Sequence, residues 1–235
     1  MKINDLGFFL GNKKYGENSM IVYIFSKNNG LIKSFSKFSK NRRCSFKILD
    51  EINFTWQSKQ KDSLGYVNLD LEASVNKNDT FLTSLIKSSV SELCLKFLPL
   101  WQQNIEIYND LQRLIKSLDK KIELIIFNYV WWEILFLKNT GYGINLDKCS
   151  VSGSKKELYY LSPNSGNSVT YSVGHKYRNK LFKLPNCLTE KVISDNFRDY
   201  IDALKITTYF LRKSFDYDLN KFVFRTHLIN KLKAL

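Results

Sequence analysis

Apolar and polar positions change period once along the chain, near residue 79. Before it, Ile52, Phe54 and Trp56 recur at every second position, and Val67, Leu69, Leu71 and Ala73 alternate with Tyr66, Asn68, Asp70 and Glu72. The run SMIVYIF (19–25) is continuous and rich in β-formers, Asn28-Asn29-Gly30 suits a tight reversal, and residues 30–38 alternate again. With LGFFLG (6–11), this predicts about five short strands in the first 80 residues. Antiparallel strands with one apolar face each must curl to bury those faces, and the common small solution is a five-stranded barrel of the OB type.

After NKND (76–79) the spacing becomes helical. Asp79 or Thr80 can cap a helix over 81–98 that stops at Pro99; others are expected over about 104–119 and 120–139, the latter ending at Gly141. Residues 141–174 are poor in helix signals, and the tail predicts helices from Thr189 or Glu190 to Phe215 and over about 221–234. The expected architecture is α+β: an N-terminal OB barrel over 1–78, then an α-helical domain over 79–235 with a short irregular insertion at about 145–174. The apolar run Ile122–Leu137 carries Glu123, Asn128 and Glu133 and is shorter than the ~20 residues a bilayer requires. It predicts a bundle-core helix containing Trp131 and Trp132, and no membrane association.

Charge sharpens this picture. The 235 residues carry a formal net charge of +14, divided as +5 over 1–80, +1 over 81–150 and +8 over 151–235. Between Glu17 and Asp50 there is no acidic residue, yet Lys33, Lys37, Lys40, Arg42, Arg43 and Lys47 fall there. On a strand, Ile32, Ser34, Ser36 and Phe38 suit the barrel interior, leaving Leu31, Lys33, Phe35 and Lys37 outside. Cations track phosphates and a ring stacks any base, so this stretch is a candidate single-strand-binding surface with Phe35 as its stacking residue. The alternative is a solvated edge whose lysines discourage aggregation. Arg178, Lys180 and Lys183, with Arg212, Lys213, Lys221 and Arg225 further on, form a second basic region, so that two cationic surfaces are available to align two strands.

Other chemistry is sparse. No GxSxG, GxxxxGK[ST], HExxH or GxGxxG occurs, and GYG (141–143) reads as a helix stop, so no enzymatic activity is expected. Asp50-Glu51 and Asp199 with Asp202 read as surface charges. Cys44, Cys94, Cys149 and Cys187 form no CxxC pair, which suits a reducing cytoplasm; Cys149, His175 and Cys187 match no zinc spacing. No cofactor is expected.

The stretches YGENSMIVYIFSKNNGLIKSFSKFSKNRR (15–43), LKNTGYGINLDKCSVSG (137–153) and YLSPNSG (160–166) together resemble the bacterial recombination mediator family RecO. The resemblance implies an OB-fold, a helical domain, DNA repair without nucleotide hydrolysis, annealing of complementary strands, and loading of recombinase on gapped DNA at the nucleoid. It implies as partners single-stranded DNA, RecR, single-strand-binding protein and, in some members, RecF. Many members carry a zinc module that begins Cys-x-x-Cys; here Cys149 is followed by Ser152 at the second position and the later pair is absent, so the insertion resembles a degenerate module and no metal is expected. An adaptor that docks acidic proteins and a general OB-type RNA binder remain as alternatives.

Overall fold

The computed structural model describes residues 1–37, 46–60, 63–73, 79–215 and 222–235. The chain forms two units, Met1–Ile115 and Lys116–Leu235.

In the first unit five strands close a barrel: β1 (Lys2–Tyr15), β2 (Ser19–Ser26), β3 (Gly30–Lys37), β4 (Glu51–Gln57) and β5 (Tyr66–Ala73), in the order β1-β2-β3-β5-β4 with β4 returning to β1. All pairs are antiparallel except β3 with β5, which meet in parallel at Phe35 and Tyr66. Phe9, Val22, Ile24, Ile32, Ile52, Phe54, Trp56 and Val67 fill the interior. The expected alternation is observed: Ile52, Phe54 and Trp56 are buried while Asn53 and Thr55 are not, and Ile32, Ser34 and Ser36 are buried. At the far end of β5 it fails: Leu71 is 53% exposed.

β1 is much longer than the expected 6–11. Its register with β2 slips between Phe9 and Gly11, a bulge that changes which parity faces out. Ser91 Oγ donates to the Leu10 carbonyl at this bulge (2.6 Å), tying β1 to helix α1 (Phe81–Phe97). Thr80 caps α1, exchanging hydrogen bonds with Thr83 in a capping box. Tyr108 of α2 (Ile105–Lys116) stacks on the outward-facing Phe8 (4.7 Å between centroids) and packs on Phe25. Leu31, expected outside, is buried, because the segment before α2 lies along β3: Leu31 bridges Leu100, and Trp101 N donates to the Leu31 carbonyl (2.9 Å). Gly30 is required at the hairpin end. Its φ is +71°, and a Cβ there would lie 1.9 Å from the Gln102 carbonyl oxygen.

The second unit is built on α3 (Ile122–Asn139), α6 (Phe197–Phe215) and α7 (Val223–Lys233). Trp132 is buried as expected, whereas Trp131 is partly exposed under Lys191. A buried ion pair joins the three helices. Glu133 Oε1 accepts from Arg225 Nε (2.8 Å) and the Tyr129 hydroxyl (2.5 Å), while Oε2 accepts from Arg225 Nη2 (2.9 Å) and Thr207 Oγ1 (2.5 Å). Arg225, expected among the surface cations, is only 3% exposed. Burial opposes its charge, but Glu133 alongside raises the guanidinium pKa above its ordinary value.

The tail helix expected from Thr189 or Glu190 starts late. A short α5 (Asn186–Thr189) ends early, and α6 begins only at Phe197, where Asn196 Oδ1 accepts from Arg198 N (3.0 Å). The insertion holds strands β6 (Leu158–Leu161) and β7 (Ser168–Thr170), which form a three-stranded sheet with β8 (Phe182–Lys183) in the order β7-β6-β8. Between β7 and β8 lie the short helix α4 (Tyr171–Gly174) and a 3-10 turn, His175–Lys180.

Candidate nucleic-acid interface

Strand register assembles one outer face of the barrel. Lys13, Ile21, Phe35 and Tyr66 are successive partners across four strands, and Tyr15, Ser19 and Lys37 form the next row. Phe35 is partly buried between two exposed rings, Tyr15 (centroids 5.1 Å apart) and Tyr66 (5.9 Å). Tyr15 and Tyr66 are 56% and 55% exposed, so both keep free π-surface. The Lys37 ammonium lies 5.3 Å from the Tyr66 centroid, and Lys33, beside Tyr23, is one outward position along β3. A cleft of about 970 Å³ continues from this row past Tyr66 and Leu64 to Lys2, Lys59 and the amino terminus, whose ammonium donates to the Ser58 carbonyl.

The arrangement offers three neighbouring rings with ammonium groups at their edges. Such a surface can stack bases of any identity and hold the phosphates between them. Glu17, at the adjoining hairpin turn, is an acid close in sequence to Tyr15.

The structure thus brings Lys33, Phe35 and Lys37 together. Lys40, Arg42 and Arg43 lie outside the described residues. Lys47 has a different neighbour: its ammonium is 3.9 Å from Asp79 Oδ2. Sequence reasoning missed Lys13, Tyr15, Tyr66, Lys2 and Lys59. Only the bulge in β1 and the parallel closure of β3 on β5 bring Tyr15 and Tyr66 to Phe35, and neither leaves a signal in the hydrophobic pattern.

In the second unit, Arg178, Lys180 and Lys183 are all exposed within one short segment. Lys183 is engaged from below. Its ammonium lies 5.3 Å from the Tyr159 centroid, and hydrogen bonding to Tyr159 raises its pKa. Arg212 is exposed, and Lys213 donates to the carbonyls of Pro163 (2.9 Å) and Asn164 (2.6 Å).

The barrel order and its closure define an OB-fold protein with a helical C-terminal unit. Comparison with known families is consistent with this architecture. Residues 1–73 match the model of the recombination protein O N terminal and residues 79–221 that of the recombination protein O C terminal. The chain belongs to the recombination protein O family, and so to proteins of DNA repair and recombination. Similar relatives include the DNA repair protein RecO of Rickettsia bellii (strain OSU 85-389), 29% identical over 97% of this chain and 91% of the relative. That of Wolbachia pipientis wMel is 30% identical over 94% and 95%, and that of Rickettsia canadensis (strain McKiel) 31% over 91% and 89%. Among the described residues, no helix is long and apolar enough to cross a membrane.

The zinc module implied by the family resemblance does not fit the residues present. Cys149 is buried in a tight turn, where Ser152 N donates to its sulfur (3.4 Å) and Thr170 Oγ1 lies 4.0 Å away. Burial raises its pKa, but hydrogen bonds from Ser152 and neighbouring backbone groups outweigh this and lower it to about 6. That is the electronic setting of a ligand thiolate, yet Ser152 and Thr170 offer only neutral hydroxyls. Cys187 is held elsewhere, its thiol donating to the Asp199 carbonyl (3.7 Å), and no cluster of three His, Cys, Asp or Glu suited to a metal occurs among the described residues. Packing of Tyr160, Val169, Leu158 and Tyr159 around Cys149 holds the sheet instead.

Proposed function

We propose that this chain is a recombination mediator that binds single-stranded DNA on the outer face of its barrel. The observation that carries this reading is the cluster of Tyr15, Phe35 and Tyr66 with Lys33 and Lys37 on the same strand as Phe35. On this reading Lys40, Arg42, Arg43 and Lys47, which follow in sequence, are further phosphate contacts. Arg178, Lys180 and Lys183 supply further phosphate contacts from the C-terminal unit.

On this reading the protein pairs complementary strands without nucleotide hydrolysis, consistent with the lack of a phosphate-cradling motif in the sequence. Neutralising phosphates on two strands lowers the repulsion that opposes their pairing. With RecR and single-strand-binding protein, and RecF where that partner is used, it helps load recombinase on gapped DNA at the nucleoid. It acts by binding and is not an enzyme. Duplex DNA is a secondary ligand bound through phosphates alone.

Fluorescence-monitored annealing of complementary oligonucleotides without ATP tests this reading, together with pull-down of RecR and of single-strand-binding protein. The expected result is annealing faster than the spontaneous rate, slowed in Lys33→Ala/Lys37→Ala. Capture of both proteins with no affinity for bare DNA would instead make the chain an adaptor. Preference for RNA over a DNA strand of equal length would make it an RNA binder.

A further inference from the structure

No acidic residue occurs between Glu157 and Glu190, and the cations of that interval, Lys176, Arg178, Lys180 and Lys183, gather around the 3-10 turn His175–Lys180. The interval thus repeats the charge pattern of the barrel strand on a different scaffold.

The turn is packed against the small sheet. Gly174 lets it approach the small sheet: a Cβ there would lie 2.5 Å from the Tyr160 ring. Tyr171 packs edge-on against Tyr159 (5.1 Å) and tilted against His175 (4.8 Å), while Leu181 N donates to the Arg178 carbonyl and Leu184 N to that of Tyr159. Every side chain of the turn itself is exposed.

Tyr177 is the feature that edge protection does not explain. It is 60% exposed and packs on no other ring among the described residues. In a 3-10 helix residues three apart eclipse one another, about 6 Å along the axis. This puts Tyr177 and Lys180 on one face. His175 and Arg178 share another, with Arg178 Nη1 3.5 Å from His175 Nε2. A ring with free π-surface, a cation on its own face and two more in the flanking positions match a nucleotide of an unpaired strand: base on the ring, phosphates on the cations. A duplex keeps its bases stacked internally and would leave the ring unused.

We propose that the segment Tyr171–Lys180 is a second single-strand platform, on which Tyr177 stacks a base while Lys176, Arg178, Lys180 and the neighbouring Lys183 hold the adjoining phosphates. The proposal rests on the reading of Arg178 and Lys180 as phosphate contacts and adds the stacking residue that reading lacks.

The test uses the full chain carrying Phe35→Leu/Lys33→Ala/Lys37→Ala, so that the barrel face contributes little, and measures anisotropy of a fluorescent oligothymidylate across salt. Adding Tyr177→Leu is expected to weaken binding roughly 5- to 150-fold with the salt slope unchanged, and Tyr177→Phe to retain it. Adding Arg178→Ala/Lys180→Ala instead is expected to flatten the slope by about 1.4, at roughly 0.7 per phosphate contact. Binding within twofold of the parent in Tyr177→Leu, with the slope still flattened by the cation variant, would overturn the stacking role and leave the phosphate reading standing. No change in either variant would overturn both. Circular dichroism checks the folding of each variant.

Discussion

Arg225→Met removes a guanidinium that is 3% exposed and leaves the Glu133 carboxylate, 1% exposed, without its counter-charge. Glu133 loses two charge-assisted hydrogen bonds, at 2.8 and 2.9 Å, and keeps only the hydroxyls of Tyr129 and Thr207. Thr208 Oγ1 and the Leu204 carbonyl lose a donor as well. Breaking a buried pair from one side costs about 3–5 kcal/mol. At roughly 3 °C per kcal/mol for a chain of this size, the midpoint should fall by roughly 9 to 15 °C. In Glu133→Leu/Arg225→Met both charges are gone, and much of the loss should be recovered. Recovery stays incomplete because the Tyr129 hydroxyl is left without its carboxylate partner. Scanning calorimetry of the parent and both variants measures this, and oligonucleotide binding by folded Arg225→Met should match the parent. A midpoint lowered by less than about 3 °C, together with a flatter salt slope for DNA, would refute the assignment of Arg225 to the core.

Two further outcomes are expected. Burial works to raise the Asp5 pKa, but hydrogen bonds from Ser26, the backbone of Asn28 and Leu6, and Asn29 outweigh it and hold the carboxyl below its ordinary value. A folded pKa below the unfolded one means stabilisation that is complete above about pH 3.9 and is lost as pH falls through the folded value. Urea unfolding between pH 5 and 2.5 should therefore show a steeper loss in the parent than in Asp5→Asn; parallel profiles would contradict it. Treatment with a chelator should leave the thermal midpoint unchanged, whereas near-stoichiometric zinc by elemental analysis would show that ligands outside Cys149 complete a site.

The barrel was legible where one face of a strand is apolar and the other is not. Ile52, Phe54 and Trp56, and Ile32 with Ser34 and Ser36, point inward as their alternation requires. It was illegible where a distant segment supplies the cover. Leu31 is buried by Leu100 and Trp101, some seventy positions away, and Arg225 by Glu133, 92 positions upstream. Local capping decided helix starts: the Thr80 capping box lies where the sequence offered it, while Asn196 displaced the expected start of α6 from Thr189. At the candidate site Phe35 and Lys37 could be read from one strand. Their partners Tyr15 and Tyr66 could not, because a bulge and a parallel closure set those contacts.

The most direct test of the barrel face is anisotropy of a fluorescent single-stranded oligonucleotide, measured across salt for the parent, Phe35→Leu and Lys33→Ala/Lys37→Ala. Stacking on Phe35 predicts that Phe35→Leu weakens binding by about 1–3 kcal/mol at every salt concentration. Phosphate contacts by the lysines predict a slope flatter by roughly 0.7 for each one lost. Parent-like affinity in Phe35→Leu and a parent-like slope in the double lysine variant would contradict the account and remove the barrel face as the DNA site.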